Sequence, residues 1–151
     1  MSTLLCFGLG YSAERFVAAY GDGYERIIGT VRGAERAAVL NAHLSGRLKA
    51  LVFDGRSPTP ELRHAVGEAE AALISIPQDE HGDPVLRTFA GEFAHARRLG
   101  ALVYLSTVGV YGDHGGAWVQ GGSARHHLFR FLRPAASCRG DCGARGAGYI
   151  G

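Results

Sequence analysis

The chain has little lysine, little cysteine and no long hydrophobic run. A membrane-spanning helix needs about 20 consecutive apolar residues, and no stretch here approaches that length. The first residues lack the basic segment and the apolar core of a signal peptide. Three cysteines do not suggest a disulfide framework, and Cys6 is expected to be a small core residue. We therefore expect a soluble, cytoplasmic protein without membrane partners.

The composition is that of a globular domain, with 46% hydrophobic and 20% charged residues in a chain of 151. The net charge of +2 is unevenly distributed. Residues 1–119 carry 11 basic and 13 acidic side chains, whereas residues 120–151 carry five arginines and one aspartate. We predict one folded domain over 1–119 and an irregular, basic, Gly/Arg-rich tail over 120–151. Neither part has the basic patch expected of a nucleic-acid-binding protein.

Apolar runs and helical patterns alternate through the first 106 residues. Strands are predicted at residues 4–7, 26–31, 48–53, 71–76 and 101–106, and helices at 12–20, 34–44, 61–68 and 84–99. Ser12 is a candidate cap for the first helix, and Asp83-Pro84 predicts the start of the last. The strands are continuous apolar runs, as in sheets that are covered on both faces. The fold class is therefore predicted as α/β, a Rossmann-type doubly wound parallel sheet of about five strands.

Such a sheet binds ligands at the carboxyl ends of its strands. Glycine, proline and polar residues gather at these predicted ends: Gly8, Gly10, Thr30, Arg32, Asp54, Ser75, Pro77, Ser106 and Thr107. This coincidence predicts a ligand site along one edge of the sheet.

A glycine turn follows the first predicted strand. The spacing Gly8-x-Gly10-x-x-Ala13 matches the dinucleotide-binding fingerprint with alanine in the third place. Gly8 permits the tight turn, Gly10 lets a pyrophosphate approach the backbone, and Ala13 lets the helix pack closely. The helix N-terminus, where Tyr11 lies, offers unpaired N–H groups to the phosphates. We predict that these four residues bind the cofactor; the alternative is an ordinary strand-turn-helix corner.

The ends of the next strands refine this prediction. An acidic residue after the second strand would favour NAD, but this chain has Arg32, whose guanidinium can pair with a 2′-phosphate. NADP is therefore the predicted cofactor, with NAD as the alternative, unless Arg32 is only a solvated residue at a helix start. Asp54 is predicted to accept a hydrogen bond from adenine and also to shape an Asp-Gly turn. Ser75 and Pro77 are predicted beside the middle of the cofactor, and residues 78–82 form a polar loop.

The segment after the fifth predicted strand resembles a known family. Its Ser106-Thr107-x-x-Val-Tyr-Gly pattern is similar to that of the extended and atypical short-chain dehydrogenase/reductases, which include nucleotide-sugar epimerases and dehydratases. The resemblance covers about residues 3–119. It implies hydride transfer between a nicotinamide and a carbinol or carbonyl substrate. It also implies that Thr107, supported by Ser106, is the catalytic hydroxyl, while Tyr111 is expected to pack.

The resemblance stops at the family's acid/base pair. The family uses a Tyr-x-x-x-Lys pair, but Lys49 is the single lysine of this sequence. Two functions therefore stay open, an oxidoreductase or epimerase acting on a small molecule such as a nucleotide sugar, and a catalytically inactive dinucleotide-binding module. A regulatory dinucleotide sensor is a third. We also hypothesise that the sequence is truncated or frameshifted after about residue 119.

The tail itself offers two further readings, a zinc site and nucleic-acid binding by its five arginines, and its residues favour neither. A zinc site from His126, His127, Cys138 and Cys142 does not fit a common ligand spacing, so no metal is predicted. A short helix over 124–132 is possible by pattern, and the remaining composition favours disorder.

Overall fold

The computed structural model describes residues 1–43, 46–106 and 113–120. Strands and helices alternate along the described chain. The strands are β1 (Thr3–Phe7), β2 (Arg26–Val31), β3 (Leu48–Val52), β4 (Ala71–Ile74) and β5 (Ala101–Tyr104). The helices are α1 (Tyr11–Tyr20), α2 (Ala34–His43), α3 (Pro60–Glu68) and α4 (Pro84–His95), with a 3-10 turn at Gly21–Gly23. No helix in these ranges is both long and apolar enough to span a bilayer.

All five strands are parallel and lie in the order β3-β2-β1-β4-β5. The chain builds outward from β1 through β2 to β3, then returns to the other side of β1 for β4 and β5. The order therefore reverses between β1 and β4, where the carboxyl ends of the strands leave a crevice for ligands. The predicted doubly wound parallel sheet is confirmed.

The two faces of the sheet carry separate cores. Because side chains alternate along a strand, Leu5 and Phe7 of β1 point to one face and Leu4 and Cys6 to the other. The first core is aromatic: the ring of Phe7 lies 6.1 Å from that of Phe53 and 5.2 Å from that of Phe89. Helices α3 and α4 cover this face, and α1 and α2 cover the other. Burial on both faces explains the continuous apolar runs of the strands.

The ends of two helices follow the sequence signals closely. Asp83 is the N-cap of α4, and its Oδ1 accepts a hydrogen bond from the Leu86 N–H at 2.7 Å, with Pro84 in the first turn. Thr59 caps α3 in the same way through the Leu62 N–H at 3.2 Å. These side chains satisfy N–H groups that the first turn of a helix leaves without an acceptor.

Other predicted boundaries are wrong by a few residues. Ser12 does not cap α1, because the helix already begins at Tyr11 and Gly10 is its N-cap, without a side-chain hydrogen bond. Helix α4 ends at His95 rather than near residue 99, since Ala96 leaves the helical conformation. Just beyond, Arg98 is held by Glu70 at 2.8 Å and by the main-chain oxygen of Met1 at 2.7 Å. Strands β3, β4 and β5 are also shorter than predicted by one or two residues.

Strand β3 forms an edge of the sheet, and a side chain covers it. Asn41 of α2 accepts a hydrogen bond from the Ala50 N–H at 2.8 Å and donates one to the Ala50 carbonyl at 2.9 Å. These main-chain groups have no strand beyond β3 among the described residues. The Asn41 amide takes the place of that strand and ties α2 to the sheet.

Candidate functional site

The turn between β1 and α1 can be built only with glycine at position 8. Gly8 has a φ of 94°, in the left-handed region that side chains disfavour. A Cβ atom added here would lie 2.9 Å from Ser75 Oγ and 3.1 Å from Ile76 Cγ1. Both the backbone conformation and the close approach of the segment after β4 therefore exclude a side chain.

Neighbouring strands hold the Gly8 peptide groups. The Gly8 N–H donates to Thr30 Oγ1 at 2.9 Å, and the Ser75 hydroxyl is within 2.8 Å of the Gly8 carbonyl oxygen and 3.1 Å of that of Phe7. The following N–H, of Leu9, donates to the Thr30 carbonyl at 2.7 Å. Thus β2 and β4 fix the turn from opposite sides.

Gly10 and Ala13 have different surroundings. Among the described residues, no atom outside the chain neighbours lies within 4 Å of a Cβ added to Gly10, so its open side leaves room for a ligand. Ala13 is fully buried between α1 and the sheet, in the core that includes Leu4 and Cys6. A larger side chain at 13 would push the helix away from β1, and this is the packing reason for a small third residue.

The start of α1 presents its N–H groups without a side-chain cap. Among hydrogen bonds within the described residues, none has the N–H of Gly10, Tyr11 or Ser12 as its donor. The Tyr11 side chain is exposed, and the Arg15 guanidinium lies 5.5 Å from the centre of its ring. Exposed N–H groups at the positive end of a helix dipole are suited to an anion.

Arg32 follows β2 and is exposed at the carboxyl edge. Within the described part of the chain, its guanidinium forms no ion pair or hydrogen bond, unlike Arg36, which is 3.3 Å from Glu14. Adjacent strand ends place Arg32 and Asp54 in neighbouring loops, since the Phe53 N–H donates to the Val31 carbonyl at 2.8 Å. Arg32 therefore has its five donors available to a phosphate.

Asp54 shapes its own loop. Its Oδ1 accepts hydrogen bonds from the N–H groups of Arg56 at 2.8 Å and Ser57 at 2.9 Å. These bonds, led by that of Ser57, hold the pKa of the exposed Asp54 carboxyl below its ordinary value. The turn role proposed from sequence is present, and the second carboxylate oxygen forms no hydrogen bond within the described residues.

The segment after β4 closes the other side of the crevice. Ser75 is partly buried and engaged with the glycine turn, whereas Pro77 is exposed. The loop that follows is pinned to α4, because Asp79 forms a two-point ion pair with Arg87 at 3.1 and 3.0 Å. Hydrogen bonding to Arg87 lowers the pKa of Asp79 to about 2. This polar loop therefore has a fixed anchor on the helix.

Sequence reasoning missed a polar group at the end of β5. Burial raises the pKa of the Tyr104 phenol, and the Asp83 carboxylate adds to the rise while a hydrogen bond with Gln78 opposes it. Asp83 is 2% exposed, and its Oδ2 has no hydrogen-bond partner within the described chain. That oxygen is shielded from solvent, and the carboxylate acts on the Tyr104 phenol.

Of the two predicted catalytic hydroxyl residues, Ser106 is the one that the structure describes, and it follows β5. Ser106 is exposed two residues beyond the strand, and the preceding Leu105 N–H donates to the Ile74 carbonyl at 2.8 Å. Thr107 and Tyr111 fall outside the described residues, as do the predicted tail helix and the histidines and cysteines of the tail. Within the described ranges, no group of three or more His, Cys, Asp or Glu side chains could hold a metal ion.

The residues that are present fit a dinucleotide. The open side of Gly10 faces no atom within 4 Å in the part of the chain that the structure describes, and the first N–H groups of α1 have no described acceptor. A backbone without side chains, ending in a helix N-terminus, accommodates a diphosphate.

Several solved structures resemble this chain. A functionally unknown conserved protein from Silicibacter pomeroyi DSS aligns with a TM-score of 0.65 and 34% sequence identity, over 83% of this chain and 43% of that protein. The chain adopts a Rossmann-type fold. The protein SsCR_L211H aligns with a TM-score of 0.58 at 17% identity, over 74% of this chain and 39% of its own. A reductase engineered to attenuate substrate inhibition in asymmetric catalysis aligns with a TM-score of 0.56 at 19% sequence identity, over 74% of this chain and 39% of that protein.

These similarities have a defined reach. The chain spans about two fifths of the length of the solved proteins it resembles. The two with 17% and 19% identity share the fold with this Rossmann-type chain, and nothing more follows from them. No known family model and no curated protein matches the sequence.

Proposed function

We propose that the chain binds a nicotinamide dinucleotide across the carboxyl edge of its sheet. The observation that carries this proposal is the glycine turn: Gly8 is held by two neighbouring strands, Gly10 is open, and the N–H groups at the start of α1 have no described acceptor. The site lies where the strand order reverses, between β1 and β4. The resemblance to a reductase structure is in keeping with this function.

NADP is the proposed cofactor in preference to NAD. Arg32 is exposed at the end of β2, where the adenosine ribose would lie, and its guanidinium makes no described ion pair. A guanidinium can bind a 2′-phosphate through two hydrogen bonds, whereas a carboxylate at this place would repel it. Asp54, in the next loop, is the proposed acceptor for the adenine amino group.

The proposed reaction follows from the resemblance to short-chain dehydrogenase/reductases and epimerases. A bound nicotinamide would supply hydride transfer to or from a carbinol or carbonyl carbon. Thr107 would donate a hydrogen bond to the substrate oxygen, with Ser106 in support, and a nucleotide sugar is the proposed class of substrate. Ser75 and Pro77 would border the middle of the cofactor.

A titration with NADPH tests binding first. The fluorescence of NADPH should change on addition of the purified protein, and NADP should compete for the same site more strongly than NAD. A chain that binds neither dinucleotide would overturn the proposal. Turnover is then measured against a panel of nucleotide sugars and simple carbonyl compounds.

Binding without turnover is a second candidate function, favoured by one observation. The sequence has no Tyr-x-x-x-Lys pair, and Lys49 is committed elsewhere: it lies in β3 with its Nζ 2.6 Å from Glu61. These 151 residues contain no other lysine for the roles that the family's lysine has. NADPH binding with no oxidation of NADPH by any substrate would support this candidate, and measurable turnover that is lost in Thr107→Ala would contradict it.

A further inference from the structure

Two hydroxyl side chains bind the backbone of Gly8, one at its N–H and the other at its carbonyl oxygen. Thr30 Oγ1, on β2, accepts the Gly8 N–H at 2.9 Å. Ser75 Oγ, just after β4, lies 2.8 Å from the Gly8 carbonyl oxygen and donates to that side of the turn. The two residues stand 22 and 67 positions from Gly8 in the sequence, so only the folded sheet brings them together.

Thr30 is the more deeply placed of the two. It is 0% exposed, and its main-chain oxygen also accepts the Leu9 N–H at 2.7 Å. It therefore binds two successive N–H groups of the turn, one through its side chain and one through its backbone. Water cannot replace the hydroxyl at a fully buried position without a rearrangement.

This arrangement decides which N–H groups face the crevice. The N–H groups of Gly8 and Leu9 are turned toward β2 and are already bonded. Those of Gly10 and Tyr11, which come next, have no described acceptor. Because the turn is fixed in this orientation before a ligand arrives, binding does not cost the conformational entropy of ordering it.

We propose that Thr30 and Ser75 are positioning residues that preset the glycine turn for a diphosphate. Neither would need to touch the ligand. The inference rests on the proposed function, since it concerns the same dinucleotide site. It also assigns Ser75 a role different from direct contact with the cofactor, because its hydroxyl is directed at the carbonyls of Phe7 and Gly8.

The test compares two ligands in hydroxyl-deletion variants. Thr30→Val and Ser75→Ala should each weaken NADPH binding by about tenfold, the effect of losing one buried hydrogen bond of about 1.4 kcal/mol. Binding of adenosine 2′-monophosphate, which has no diphosphate and should depend on Arg32 and Asp54, should change by less than about twofold. Thr30→Ser keeps the hydroxyl and should restore most of the NADPH affinity.

A matched control separates positioning from general stability. Thr3 is also buried, at 4% exposure, but it begins β1 at the opposite end of the sheet. Thr3→Val should leave the ratio of the two affinities unchanged even if it lowers the melting temperature. Amide hydrogen exchange by NMR gives a second readout, since the Gly8 N–H should exchange faster in Thr30→Val than in the wild type and in Thr30→Ser.

The outcomes distinguish the two proposals. A wild type that binds neither NADPH nor NADP overturns the proposed function and this inference with it. A wild type that binds NADPH, with Thr30→Val and Ser75→Ala binding equally well, overturns the inference alone. An equal loss of affinity for NADPH and for adenosine 2′-monophosphate in these variants also overturns the inference. If Thr30→Val does not fold, the result with Ser75→Ala decides the test. That variant should fold, because the Phe7 carbonyl, which loses the Ser75 hydroxyl, still accepts the main-chain N–H of the same residue at 2.9 Å.

Discussion

The side chain of Leu9 lies directly over Gly29. A Cβ atom on Gly29 would overlap three carbon atoms of Leu9, including Cγ, so the β2 backbone must be bare at this point. Leu9 is 5% exposed and belongs to the core between the sheet and α1 and α2. The middle residue of the glycine turn therefore packs against the neighbouring strand, and this packing fixes the turn together with its hydrogen bonds.

Gly29→Ala should destabilise the protein by about 1–3 kcal/mol, the usual cost of overpacking a core. The clash involves the body of the Leu9 side chain rather than its tip, so Leu9 must move and carry the turn with it. Urea unfolding measures the loss. Gly67→Ala is the control, because no atom lies within 4 Å of a Cβ there and the position is helical. Gly67→Ala should be as stable as the wild type or more stable. Equal stability of Gly29→Ala and the wild type would contradict the close packing of Leu9 on Gly29.

Arg32→Ala should reduce the affinity for NADP while changing that for NAD little. The preference for NADP should fall by about tenfold or more, as expected for loss of a charge-assisted hydrogen bond of about 1.5–3 kcal/mol. Competition against NADPH fluorescence gives both dissociation constants. Arg47→Ala removes the same charge at the opposite end of the sheet, where Arg47 pairs with Asp22 at 2.5 Å. A loss of preference in Arg47→Ala as large as in Arg32→Ala would mean that only net charge matters.

Asn41→Ala should destabilise the edge of the sheet by about 1–3 kcal/mol, because it leaves the Ala50 N–H and carbonyl without their partners. Ala50 is 3% exposed, so water reaches these groups poorly. Asn41→Asp keeps an acceptor for the N–H but sets a carboxylate oxygen against the Ala50 carbonyl, so it should also be less stable than the wild type. Chemical denaturation gives the free energies, and hydrogen exchange at Ala50 locates the change. Wild-type protection of the Ala50 N–H in Asn41→Ala would show that another group covers the edge.

The ion pair between Asp79 and Arg87 should make stability depend on pH in the acid range. The pKa of Asp79 is lowered from 3.8 to about 2 in the folded protein, so the pair stabilises the fold above its ordinary pKa. That contribution is lost as the pH falls through about 2. Asp79→Asn should therefore melt at a lower temperature than the wild type at pH 7, and most of this difference should be gone at pH 2. The effect is small because both side chains are partly exposed. If the difference in melting temperature persists at pH 2, the hydrogen bonds of the loop, and not the ion pair, are its cause.

Much of the fold was predictable because its signals are local. The apolar runs, the glycine turn and the Asp83-Pro84 helix start each lie within a few residues of one another, and the strands and helices formed there. Predicted ends were less accurate. Ser12 looked suitable as a cap, but α1 already begins at Tyr11, and the extended Gly10 before it is the N-cap. Helix α4 ends at His95, and just beyond it Arg98 contacts Met1, which is 97 positions away in the sequence.

The candidate site was predictable as a set of strand ends and less so as a set of contacts. Gly8, Gly10 and Ala13 could be named from spacing. Thr30 was noted only as a polar residue at a strand end, and Ser75 was predicted beside the middle of the cofactor. That these two bind the same glycine depends on β1 lying between β2 and β4. Glycine within a strand can signal close approach of another group, and this was the one sequence indication at Gly29. Thr107 and the cofactor roles stay predictions.

The sequence by itself determined the alternation of strands and helices, the apolar faces and the flexible glycine positions, since these depend on side-chain type and spacing along the chain. The tertiary structure alone decided the strand order, the packing of Leu9 against Gly29, and the hydrogen bonds that Thr30 and Ser75 form with Gly8. The physical reason is that these contacts join residues distant in sequence, and hydrogen bonds and close packing have short range. Only a completed sheet brings their atoms within that range.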